Sequence, residues 1–408
     1  MFLVKRDNFN KNMIIKGLCA AILFSSFIYL SYFNIENKII NSVLGLTSIY
    51  LILTIPKKSL FYTGFFIGIF WCWWLALSFE YYDLNYLMPL VILGVGLVYA
   101  IIFYFIGIIE DSIYIRAVLF FGFTFLAPFG FNWVKPELLF IDSYFGITKL
   151  DFALILLSMI LLNKFKYLFW IPLVLSFYLL PSGKVLAPKL KISMPQLNVN
   201  QHIKWEKNYK YELISENINF INKAIEEKYD LIILPETAFP IILNKNENLL
   251  NLLKEKSKQI DIITGSLYKK DGLYHNSTYH FSKEKVNVAH KVVLVPFGEA
   301  VPLPEKIRNL INDMFYEGAK DYESAKEATT FNIKGIDFRN AICYEATTDE
   351  IFKNLGDTKY MIATSNNAWF TPSTQPILQK LLMKYYAKKY NVIVYSSANA
   401  SENSIIYP

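Results

Sequence analysis

From about Met13 to Leu180 the chain is dominated by Ile, Leu, Phe, Tyr and Trp, with charges confined to short interruptions. From Lys184 onward, charged and polar residues recur at the density of a globular domain. Crossing about 30 Å of hydrocarbon takes roughly 20 apolar residues in a helix. Seven runs approach that length, at about 13–32, 39–55, 59–79, 86–109, 113–133, 150–163 and 166–180, the last two being short. The pattern predicts a polytopic α-helical membrane bundle over residues 1–180. Pro181, Ser182, Gly183 and Pro188 punctuate a linker at 181–190, and a soluble domain fills 191–408.

In the soluble half, short apolar runs alternate with helical stretches, the signature of an α/β domain. Strands are expected at Lys191 to Met194, Leu231 to Leu234, Asp261 to Thr264, Ile336 to Cys343, Met361 to Ser365 and Val392 to Ser397. Tyr279 to Ser282 and Val286 to Val293 read as a hairpin. Helices are expected at Asn208 to Lys228, Leu249 to Gln259 and Gln375 to Tyr390. Polar residues at the ends of such strands are where α/β proteins place their chemistry.

Charge adds an orientation. Lys5, Arg6, Lys11 and Lys16 precede the first run, Lys57 and Lys58 follow the second, Arg116 follows the fourth, and Lys164 and Lys166 separate the last two. The alternate loops are acidic or mixed, with Glu36, Glu80, Asp83, Glu137 and Asp142 against Lys38, Lys135 and Lys149. Cytoplasmic loops carry the positive excess, so the N-terminus lies inside and, after seven spans, the soluble half lies outside. Ala20-Ala21 falls within the first apolar run and another run follows directly, which argues against cleavage as a signal peptide. Trp71-Cys72-Trp73-Trp74 near the outer end of the third run reads as an interfacial aromatic belt or as one wall of a lipid access site. Glu110 and Asp111 read as the cytoplasmic end of a helix.

Composition then excludes several classes. The net charge of +7 has no Arg-rich stripe behind it, so nucleic acid is not an expected partner. Cys19, Cys72 and Cys343 are too few for a disulfide framework. His202, His275, His280 and His290 show no ligand spacing, so no metal and no other cofactor is expected.

Three strand-end residues are the candidates for chemistry: Glu236, Lys291 and Cys343. A thiol becomes a strong nucleophile as thiolate and needs a base. A carboxylate can take that proton, and an ammonium can stabilise an oxyanion. Each residue alone has an ordinary reading, as strand filler, helix cap or solvated charge. Their joint occurrence in distinctive strings is what carries weight.

Those strings are Leu234-Pro235-Glu236-Thr237, Lys291 through Val295-Pro296-Phe297-Gly298-Glu299, and Ile342-Cys343-Tyr344-Glu345. Together with Pro195-Gln196-Leu197-Asn198, Gln201 and Lys204-Trp205, they resemble the apolipoprotein N-acyltransferases, membrane-embedded Glu-Lys-Cys enzymes of the nitrilase superfamily. The resemblance implies an αββα sandwich in which Glu236 is the general base, Lys291 stabilises the oxyanion and Cys343 is the nucleophile. Glu299 matches a second essential glutamate that orients Lys291 or assists proton transfer. Tyr344 and Glu345 match supporting positions, and Trp205 a substrate-binding one. The implied partners are a phospholipid acyl donor, phosphatidylethanolamine, and a diacylglyceryl apolipoprotein acceptor. The implied setting is a bacterial inner membrane, with the catalytic domain in the periplasm and the protein a monomer.

The chain departs from the family pattern at Ser365-Asn366-Asn367-Ala368-Trp369-Phe370-Thr371 and at Ala398-Asn399-Ala400-Ser401. At Ile405-Ile406-Tyr407-Pro408 it stops in what reads as a strand, where the family continues through further strands to a final membrane helix. Pro302 to Ala328, around Glu317-Gly318-Ala319, reads as a lid or as a plain surface loop. The competing functional readings are a membrane-anchored nitrilase-type amidase or acyltransferase with another acceptor, and a non-catalytic transporter or receptor with an extracytoplasmic domain. The second expects polar residues deep in the spans, where they are sparse.

Overall fold

The computed structural model describes residues 2–109, 112–177, 185–301 and 322–408, with backbone alone for residues 2–10. Glu110, Asp111, the start of the linker and the lid candidate around Glu317 lie outside the described residues. The chain divides into two compact units. One comprises Met1–Pro128, Asn132–Pro181 and Pro372–Leu381, the other Phe129–Phe131, Ser182–Thr371 and Leu382–Pro408.

The first unit is helical: α1 (Phe2–Tyr32), α2 (Lys38–Thr54), α3 (Lys57–Cys72), α4 (Met88–Ile106), α5 (Ile113–Phe123), α6 (Lys149–Lys164) and α7 (Trp170–Leu175). Among the described residues, four stretches are long and apolar enough to cross a membrane: Lys11–Tyr32, Lys57–Tyr82, Asn85–Ile106 and Ile113–Gly130; α2 is shorter. The helix ends follow from local chemistry. Asn37 accepts the amides of Ile39 and Ile40 and starts α2, and Thr148 with Asp151 forms a capping box that starts α6. α5 stops at Phe123, ten residues short of the expected end, and the chain then turns through Pro128 and Gly130, the latter at φ +81°.

Apolar surface cannot drive helices together in lipid, so close backbone contact must. Gly64 and Gly68, one turn apart on α3, face α4 so tightly that a Cβ on Gly64 would stand 2.2 Å from the Tyr99 carbonyl oxygen, and one on Gly68 2.8 Å from that of Val95. Three side chains depart from the sequence reading. Trp71 and Trp74 are buried within this unit instead of forming a lipid-facing belt. Trp71 Nε1 donates to Ser25 Oγ at 3.1 Å, and Trp74 packs on Trp133 with ring centroids 5.0 Å apart. Arg116, read as a loop charge, is also buried, because its Nη1 donates to the carbonyls of Leu53 and Ile55 left open at the end of α2.

The second unit holds two sheets. The first runs in the order β1 (Ile192–Ser193), β2 (Leu231–Ile233), β4 (Asp261–Lys270), β5 (Leu273–Ser282) and β6 (Lys285–His290), with β3 (Phe239–Ile242) also pairing β4. The second runs β11 (Ser404–Ile406), β10 (Ile393–Asn399), β9 (Tyr360–Asn366), β8 (Ile336–Ile342) and β7 (Thr330–Ile333). Side chains alternate across a strand, and β2 shows what that achieves. Leu231 and Ile233 pack with Phe338, Ile362 and Ile393 of the other sheet. Ile232 and Leu234 pack instead against Ile221 of α9 (Lys207–Glu226) and Leu253 of α10 (Glu247–Lys256). The sheets therefore lie face to face with helices outside, the expected sandwich. β1, β2 and β4 are mutually parallel, as are β8, β9 and β10. The parallel register brings Ile342, Asn366 and Asn399 to one edge of the second sheet.

Candidate active site

Glu236 lies three residues beyond β2, Lys291 one beyond β6 and Cys343 one beyond β8. The structure brings these strand ends together, and buried polar groups there must find partners. Glu236 Oε2 accepts the backbone amide of Asn366 at 2.8 Å, and its Oε1 accepts Asn276 Nδ2 at 2.7 Å. The same Asn276 nitrogen donates to Glu299 Oε1 at 3.0 Å. Glu299 Oε2 makes an ion pair with Lys291 Nζ at 2.6 Å and accepts the Val295 amide at 2.9 Å. Lys291 is fully buried, and its amide donates to the Asn276 carbonyl.

Glu345 works on the backbone. Its Oε2 accepts the amides of Val292 and Val293 at 2.8 and 3.1 Å, while Oε1 accepts that of Ile342 at 2.7 Å. One carboxylate thus fastens the segment after Lys291 to the strand that delivers Cys343. Tyr344 is buried; its hydroxyl donates to the Gly130 carbonyl at 3.0 Å and its ring stacks on Phe131. Trp205 follows Lys204 at the end of the short helix Gln201–Lys204. It is 43% exposed and lines a cleft of about 390 Å³ with Pro240, Ile241, Leu267 and Tyr274, just downstream of Glu236.

Backbone strain clusters at the same place. Thr237, Phe297 and Cys343 all have positive φ, at 47°, 63° and 55°. A side chain there costs energy and persists only when its surroundings over-determine it. For Thr237 the constraint is visible: a Cβ on Gly265 of β4 would meet the Thr237 nitrogen at 2.4 Å and Glu236 Cα at 2.6 Å. Only glycine lets the Glu236 turn lie against β4.

The electrostatics are those of charges withdrawn from water. Burial raises the Glu236 pKa above the usual carboxylate range, opposed by Lys291 and reinforced by Glu299. Cys343 keeps part of its surface accessible. Its thiol is nonetheless pushed up to about 12, first by burial and then by the charge of Glu236, against the pull of Lys291. Burial works against the charge on Lys291, but Glu299, Glu236 and Cys343 together outweigh it and hold its pKa above the ordinary lysine value. Burial lifts Glu345 to about 7. Near neutral pH this favours a protonated thiol beside a base and a fixed ammonium, an arrangement suited to proton transfer coupled to nucleophilic attack.

Sequence reading missed Asn276, the fork between two carboxylates. It sits in the unremarkable string His275-Asn276-Ser277, and only the β5 register aims it at Glu236.

Residues 11–181 match the family described as apolipoprotein N-acyltransferase integral membrane domain, and residues 192–407 match the carbon-nitrogen hydrolase family. The chain is 42% identical over 398 residues to the apolipoprotein N-acyltransferase of Wolinella succinogenes, covering 96% of this chain and 95% of that one. It is 40% identical to the apolipoprotein N-acyltransferase of Helicobacter hepaticus, over 93% of this chain and 96% of the relative. The corresponding Helicobacter pylori protein is 35% identical, over 98% and 96%.

Proposed function

Because the chain belongs to the apolipoprotein N-acyltransferase family, we propose that it transfers an acyl chain from phosphatidylethanolamine, through a thioester on Cys343, to the α-amine of a diacylglyceryl-cysteine. Glu236 takes the Sγ proton as the sulfur attacks the ester carbonyl. Lys291 stabilises the resulting oxyanion. Collapse breaks the ester C–O bond, and Glu236 returns the proton to the departing lysophospholipid oxygen. The lipoprotein amine then attacks the thioester carbonyl and loses a proton to Glu236. The C–S bond breaks, leaving an amide, and the proton returns to sulfur.

The observation that carries this reading is the shared network in which Asn276 joins Glu236 to Glu299 and Glu299 holds Lys291. It couples a base to a cation beside a thiol whose own pKa is too high for spontaneous ionisation. Both substrates are lipids, which gives a reason for fusing the catalytic domain to a membrane domain. The distribution of Lys and Arg among the loops supports an outward-facing catalytic domain on the cytoplasmic membrane.

Incubation of the purified protein with phosphatidylethanolamine and a diacylglyceryl peptide, followed by mass spectrometry, tests the proposal. An acyl adduct on Cys343 and an N-acylated peptide are expected. Cys343→Ala should abolish both, and Glu236→Gln should slow formation of the adduct. An adduct that never passes to the peptide would instead favour an acyltransferase or amidase with another acceptor.

A further inference from the structure

Lys204 ends the four-residue helix α8 (Gln201–Lys204) and is 1% exposed. Its Nζ donates to Thr237 Oγ1 at 2.6 Å and approaches the carbonyl oxygen of Glu236 at 3.4 Å. Burying an ammonium is costly unless a charge nearby needs it, and burial lowers its pKa to about 8 against the pull of the Glu236 carboxylate.

The groups around Glu236 supply that need. They are Lys204 from α8, the neutral Asn276 from β5, Lys291 and Glu299 beyond β6, the thiol of Cys343 beyond β8, and the Asn366 amide from β9. Lys291 is paired with Glu299 at 2.6 Å, so Glu236 does not have that cation to itself. The Glu236–Thr237 turn is also the strained segment pressed on Gly265, with Thr237 at φ 47°. Something must hold it there.

We infer that Lys204 is a positioning residue for Glu236, pinning the Glu236–Thr237 turn through Thr237 while its charge favours the carboxylate form that accepts a proton. The inference rests on the reading of Glu236 as the base for Cys343. A merely structural lysine would fix the turn without altering the pH at which the base works.

The test uses the full chain with Lys204→Met and Lys204→Gln, the latter able to retain a hydrogen bond to Thr237 without the charge. Two rates are followed against pH: acyl-adduct formation on Cys343 from phosphatidylethanolamine vesicles, and alkylation of Cys343 by iodoacetamide. Losing a positive charge that attracts a carboxylate raises the pKa of that carboxylate. The acid limb of both profiles should therefore move to higher pH by about one unit, with rates below the limb falling about tenfold and the variants approaching wild type at high pH. A uniform loss at every pH, a limb that coincides with wild type in a folded variant, or failure of both variants to fold would overturn the inference. If wild type forms no acyl adduct but its alkylation limb still moves in the variants, the acyl-transfer reading fails and the role of Lys204 stands.

Discussion

A single side-chain amide, Asn276 Nδ2, sits 2.7 Å from Glu236 and 3.0 Å from Glu299. Remove it and two carboxylates share a buried site without a donor between them, a situation that pushes one of them toward protonation. Asn276→Ala should therefore lower the acylation rate about 100-fold, the order seen when an active-site hydrogen bond is lost. It should also shift the acid limb of the pH–rate profile upward, because Glu236 must lose its proton before it can accept one from sulfur. A profile lowered without any shift would argue against this assignment. In wild type the rate should rise with pH as Glu236, whose carboxyl burial holds above the usual carboxylate range, loses its proton. Of these residues, Cys343, Glu236 and Lys291 were legible because each stands in a distinctive string at a strand end. Asn276 was not, because its role depends on register with β4 and β6, and its neighbours His275 and Ser277 carry no comparable signal. Glu345 was legible as a position but not as a device. That one carboxylate secures three amides from two segments emerges only when the strands are side by side.

Among the elements of the second unit, β4 carries a tight constraint. The atoms facing Gly265 are main-chain ones, of Thr237, Glu236 and Pro235, at 2.4 to 2.8 Å from an added Cβ, so no side-chain rotation can relieve a substitution. Gly265→Ala should displace Glu236 while leaving the sheet formed. Displacements of about 1 Å at a reacting group cost about 100-fold in rate; single-turnover acylation with near-native circular dichroism is the expected pair of observations. Gly64 constrains the first unit in the same way. Gly64→Val should separate α3 from α4 and lower the melting temperature in detergent, whereas Gly94→Val, at a position with open space, should leave it near wild type. Most strands of the soluble half were readable from their apolar runs, since β2, β8, β9 and β10 are buried on both faces. β3 was not, because Pro240 breaks the ordinary strand signature. β7 is four residues long and exists through pairing with β8, whereas the apolar Ile405-Ile406 of β11 already reads as a strand. The burial of Trp71, Trp74 and Arg116 was hidden for a related reason: composition shows that a residue tolerates an interface or a loop, but not that a partner waits inside.

For the whole molecule, the division into an apolar helical half and an α/β half follows directly from the change in patterning near residue 181, and the family matches at 11–181 and 192–407 fall on either side of it. The outward orientation of the second half is open to direct measurement. With Cys19→Ser as background, Lys270→Cys at the exposed end of β4 should react with a membrane-impermeant maleimide in cells whose cytoplasmic membrane is intact. Labelling only after that membrane is breached would reverse the proposed orientation. The first and last parts of the soluble domain are also sewn to each other. Asn399 donates to the Val199 carbonyl and accepts the Val199 amide, each at 2.8 Å, while Asn403 donates to the carbonyls of Met194 and Pro195. Asn399 further donates to Asn366 Oδ1, on the residue whose amide holds Glu236. About 200 residues separate Asn399 from Val199, so a chain growing on the ribosome already holds both Glu236 and Cys343 before the asparagine that ties the start of the domain to its last strands has been made.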